Sequence, residues 1–171
     1  TKSELPGFIP LLQHASSRSR RLATPAAALS LFEILQRGTS TLKHADRDAL
    51  DSAYKLQPGG ALFLTGTAED APLERWWSLG TIERRNAARA IAGLAPALVT
   101  SPNYSLFKDN PRTDDLHSMK RIVIAWEELN SAGLPCALHV NARTDFDFER
   151  WTKFIASRPE IQFISWEFAT G

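Results

Sequence analysis

The stretch Leu134–Gly171, LPCALHVNARTDFDFERWTKFIASRPEIQFISWEFATG, decides how this chain reads. CALHVN reads as a strand, DFERWTKFIAS as a helix stopped before Pro159, and IQFISWEFAT as a second strand. Alternate residues of a strand face opposite ways. Leu138 and Val140 therefore oppose His139, Asn141 and Arg143, and Ile164, Trp166 and Phe168 oppose Ser165, Glu167 and Ala169. One face is apolar and the other polar. An open sheet covered on both sides calls for two apolar faces, whereas a barrel interior accepts inward polar groups at the C-terminal ends of its strands.

Working outward, the same alternation continues. Thr113, Asp114 and Asp115 open a helix whose apolar positions Leu116, Met119, Ile122, Val123, Trp126 and Leu129 recur at three- and four-residue spacing until Gly133. PALVTS (96–101) and the glycine-bounded ALFLTG (61–66) read as buried strands. Thr81 is the expected cap of a helix running through Ala92, and PLERWW (72–77) is a turn or short helix. A polar helix is expected over Asp46–Lys55, and a helix from Thr24–Pro25 to Gly38 with Leu29, Phe32 and Leu35 as its core stripe. Leu5–Leu12 is an edge strand or arm, and with the basic loop HASSRSRR it makes up residues 1–23.

Strands alternating with helices specify an α/β protein with a mainly parallel sheet, here as one domain over residues 1–171. A partial or complete TIM-like (β/α) barrel is favoured over an open doubly wound sheet. A complete barrel takes ~250 residues. Two alternatives stay open: further strands lie beyond Gly171, or this is a smaller, open relative.

With 171 residues, a net charge of +1 and a pI near 7.9, the chain has no global electrostatic signature for nucleic acid or anionic membrane. The single cysteine, Cys136, excludes a disulfide framework or a cysteine-rich zinc site and fits a reducing, cytoplasmic setting. No apolar run approaches the ~20 residues of a membrane helix, so no membrane partner is expected. Walker, GxGxxG, GxSxG and HExxH motifs are absent. No cofactor is identified and no metal site is assigned.

The segment SPNYSLFKDNPRTDDLHSMKR resembles a family of uncharacterised bacterial and phage domains. In that family a strand ends in an Asp-Phe-Ser-like tripeptide, followed by an aromatic, a proline and a helix with a late arginine. The matching residues are Asn103-Tyr104-Ser105, Phe107, Pro111 and Arg121, and the likeness extends through Gly133-Leu134-Pro135 to EFATG, covering about Val99 to Gly171. Asn103 stands where the family carries an acidic residue. The resemblance implies a bacterial or mobile-element origin and transfers no activity. A more distant likeness, carried by no motif, is to barrel enzymes that exchange guanine-type bases in nucleic acid.

His139, Asn141 and Glu167 are the candidate catalytic residues: an acid or base, an orienting amide, and a carboxylate whose pKa a concave site can shift. Asn103, Ser105, Arg143 and Asp145 are candidate binding residues for a small-molecule or nucleic-acid substrate. The competing structural roles are turn formation for Asn103 and Ser105, a helix N-terminus for Asp145 and Asp147, a Glu167–Arg143 pair and a hydrogen-bonded core His139. Arg18, Arg20 and Arg21 with Arg84 and Arg85 are the basic concentrations that could contact a nucleic-acid backbone. The alternative to an enzyme is a non-catalytic component of a phage or defence assembly that binds nucleic acid, a protein partner or a second copy.

Overall fold

In a computed structural model, which describes residues 6–13, 19–107 and 109–168, six strands pair in their order along the chain. They are β1 (Leu11–Leu12), β2 (Ala26–Ser30), β3 (Ala61–Thr65), β4 (Leu98–Thr100), β5 (Cys136–His139) and β6 (Phe163–Ser165). Every pairing is parallel. The helices between them are α1 (Arg47–Ala53), α2 (Asp70–Ser78), α3 (Gly80–Ala92), α4 (Arg112–Ser131) and α5 (Asp145–Ala156). The fold is α/β. The sheet is open, with β1 and β6 at its two edges, so a closed barrel is not what these residues form.

Strand parity separates two cores. Leu29, Leu62, Leu64, Val99 and Leu138 point to one side, where they join Leu50 of α1, Trp76 of α2, Ile91 of α3, Trp126 of α4 and Trp151 of α5 in one large apolar cluster. The intervening residues Ala26, Phe63, Leu98 and Ala137 form a second, smaller cluster with Ile9, Ala28, Ala61 and Phe163, to which no helix contributes. All five helices thus cover one face, and the strand order never reverses as it would in a doubly wound sheet. Ile164 on β6 is 58 % exposed, and beyond the strand Trp166 is 38 % and Phe168 87 % exposed. The ring of Phe148 at the start of α5 stacks on Trp166, with ring centroids 5.5 Å apart.

Three expectations are corrected. The predicted helix over Thr24–Gly38 is β2 followed by turns, with an isolated bridge between Leu35 and Leu42. Alanine favours helices, but Ala26 and Ala28 lie on the bare face in register with Ala61 and Phe63, where small side chains make room for the phenyl ring. Thr81 does not cap α3, which starts at Gly80 after Leu79; its hydroxyl instead accepts from Arg84. The helix expected to open at Thr113, Asp114 and Asp115 is α4, which holds all three in its first turn. Of the edge strand or arm expected over Leu5–Leu12, Leu11–Leu12 form the strand among the described residues, and Leu5 lies outside them.

Candidate functional site

The bare face turns polar at the C-terminal ends of its strands. Ser30 pairs in register with Thr65, and His139 with Ser165. Thr100 ends β4 on the same face, and Ser101 follows it. Gly66 allows the ends of β3 and β4 to meet: its N–H donates to Thr100 Oγ1 at 2.8 Å, and a Cβ there would sit 2.6 Å from the Ser101 backbone. Only glycine fits so close an approach.

Asn103 leaves β4 and spans this end of the sheet. Its Oδ1 accepts from Ala68 N at 3.0 Å, and its Nδ2 donates to Glu167 Oε2 at 2.8 Å. Asn103 is buried while Glu167 is exposed, so a fixed amide holds one oxygen of an accessible carboxylate. His139 is 1 % exposed. Its backbone N–H donates to Ser101 Oγ at 2.9 Å, and its ring Nδ1 lies 3.3 Å from Ser165 Oγ. Burial pushes the imidazole down from 6.5 to about 4, with the Glu167 charge acting the other way. At neutral pH His139 is uncharged, and the carboxylate is close enough for its field to be felt.

The other predicted residues take different places. Asn141 donates from Nδ2 to Tyr104 O at 3.1 Å, and its own carbonyl accepts from Trp151 Nε1 at 2.8 Å. Arg143 Nε donates to Leu106 O at 2.6 Å, so it is not the partner of Glu167. Together they lace the loop after β5 to the loop after β4, which carries Asn103 and the half-buried Ser105. Asp145 is exposed in the first turn of α5. Thr144 and Asp147 form a capping box there. Burial would raise the Asp147 carboxyl, but hydrogen bonds from Arg112, Arg143 N and Thr144 outweigh it and hold the pKa below the usual carboxylate value.

The basic cluster splits up. Arg84 is corrected as a nucleic-acid candidate: it is 2 % exposed, forks onto Glu128 at 2.7 and 2.9 Å, and lies 4.3 Å above the Trp77 ring. Arg20, Arg21 and Arg85 are exposed, with Arg21 donating to Leu56 O at 2.8 Å, and Arg18 lies outside the described residues. Arg112 pairs with Asp147 and Asp115, and Arg121 with Glu74. Among the described residues no three of His, Cys, Asp and Glu gather to hold a metal ion.

Sequence reasoning misses Ser30, Thr100, Ser101 and Gly66. The available signal was position: a hydroxyl residue or glycine closing each short apolar run, with Ser30 and Thr100 on the parity that His139 and Ser165 share. Compared with protein-family models, with curated proteins and with solved structures, the chain matches none.

Proposed function

We propose that the chain carries an acid–base enzyme site at the C-terminal ends of β4, β5 and β6, on the face without helices, and that its substrate is a small polar molecule. The sheet is read as an arc of barrel-type wall, because sequential parallel strands with helices on one side are the wall arrangement of a (β/α) barrel. The observation that carries the proposal is the pairing of an exposed carboxylate, Glu167, held by buried Asn103, with a buried uncharged His139 joined to Ser165.

Glu167 is the proton acceptor or donor, with Asn103 fixing its orientation. His139 stays neutral and exchanges a hydrogen bond with Ser165; with its proton on Nε2, Nδ1 accepts from the Ser165 hydroxyl and makes that oxygen more electron-rich. Asn141 and Arg143 act by positioning the loop that bears Asn103. The test is a ligand screen by saturation-transfer NMR with small polar metabolites, including nucleosides, sugars and amino acids. Hits are expected to lose binding in Glu167→Gln and Asn103→Ala. Hits indifferent to both substitutions reject this location.

The second reading, a non-catalytic binding component, is favoured by one observation: Ile164, Trp166 and Phe168 leave an apolar strip exposed at the β6 edge. Sedimentation of wild type against Trp166→Ser tests association through it, and a monomer in both cases rejects self-association. Filter binding at low and high salt tests nucleic acid; no retention at low salt rejects that partner.

A further inference from the structure

A cleft of about 310 Å³ lies on the helix side, away from the bare face, between the segment that follows β2 and helix α2. That volume is at the lower end of those that hold small-molecule ligands. Its wall contains Phe32, Trp76 and Leu79 together with Glu33, Arg37, Lys43 and Arg75. Phe32 and Leu79 are half-buried and present apolar surface. Phe32 meets Trp76 edge to face, with ring centroids 6.3 Å apart.

Two kinds of group are left over here. Glu33, the one carboxylate in the wall, is paired with Lys43 at 3.5 Å, so Arg37 and Arg75 have no ion-pair partner among the described residues. Arg75 suits the last turn of α2 on helix-dipole grounds, but Arg37 has no such role. The second is a donor. Buried Trp126 and Trp151 give their indole N–H to Cys136 O and Asn141 O, whereas Trp76, 2 % exposed, has no acceptor for Nε1. A buried donor without a partner is uncommon and calls for an explanation. Spare positive charge and an apolar wall together lack one thing, an anion with an apolar body.

We propose that this cleft binds a small organic anion, a flat aromatic or heterocyclic ring carrying a phosphate, with Arg37 and Arg75 on the phosphate and Phe32 and Leu79 against the ring. It is independent of the site on the bare face. The probes are adenosine 5′-monophosphate and phenyl phosphate, with adenosine and inorganic phosphate as half-ligands, followed through the Trp76 indole N–H signal assigned with Trp76→Phe. Each ring phosphate is expected to move that signal and to bind at least about tenfold more tightly than either half-ligand. Arg37→Gln and Arg75→Gln are each expected to weaken binding about tenfold, the loss of one charged hydrogen bond. Both side chains reach solvent, so backbone spectra of the variants should match wild type. Failure of both ring phosphates to move the signal overturns the proposal. So does inorganic phosphate binding as tightly as they do, or unchanged affinity in both arginine variants.

Discussion

The two faces of the same sheet are built to different ends. On the helix-covered face Leu29, Leu62, Leu64, Val99 and Leu138 are at most 1 % exposed and belong to one continuous core with all five helices. On the other face the same strands present small residues and two or three larger ones, then Thr65, Thr100, His139 and Ser165 at their ends. The difference follows from what lies above each face. Under the helix layer a buried charge needs an internal partner, as Arg84 has in Glu128. A bare face lets the strand ends carry polar groups beside the loops that reach them.

The largest effect should come from breaking the covered face at its buried ion pair. Arg84→Ala leaves Glu128 buried without its partner and should cost about 3–5 kcal/mol in urea unfolding, while Arg84→Met with Glu128→Leu should recover most of it. Leu64→Ala, in the apolar core of that face, should cost about 2–5 kcal/mol by the same measurement.

The bare face should respond to pH instead. His139 has a folded pKa lowered from 6.5 to about 4, so below pH 6.5 the unfolded chain binds a proton that the folded chain refuses. Stability is full above 6.5, falls as pH drops towards 4 and then levels off for this group, a loss of roughly 3 kcal/mol. His139→Gln should flatten that window. Asp147, whose folded pKa lies below its ordinary 3.8, loses its contribution only in more acidic solution.

Smaller again is Gly66→Ala, which should cost about 1–3 kcal/mol by forcing the ends of β3 and β4 apart. The smallest is Glu167→Gln. This exposed residue should change stability by less than about 0.5 kcal/mol while altering the titration of His139.

Sequence patterns revealed one side of this comparison better than the other. α4 and α5 were legible because their apolar residues repeat along one stripe, and β5 and β6 because alternation gave their parity directly. β2 was not, since three alanines after Thr24-Pro25 carry helix propensity, and only their placement opposite Ala61 and Phe63 makes them a strand. His139 and Glu167 could be brought to one end of the sheet by parity alone. The Asn103–Glu167 bond joins residues 64 apart and has no local signature. Arg84 did have one: it stands in step with Ala87, Ala88 and Ile91, the buried stripe of α3, which marks it as an inward residue despite its charge.

The central claim is that an uncharged histidine and an accessible carboxylate share the polar end of the bare face. Its most direct test is the titration of the His139 imidazole by NMR in wild type and Glu167→Gln. The midpoint is expected near 4 in wild type and lower in the variant, because the Glu167 charge acts to raise it. A wild-type midpoint near 6.5, unmoved by Glu167→Gln, would contradict it.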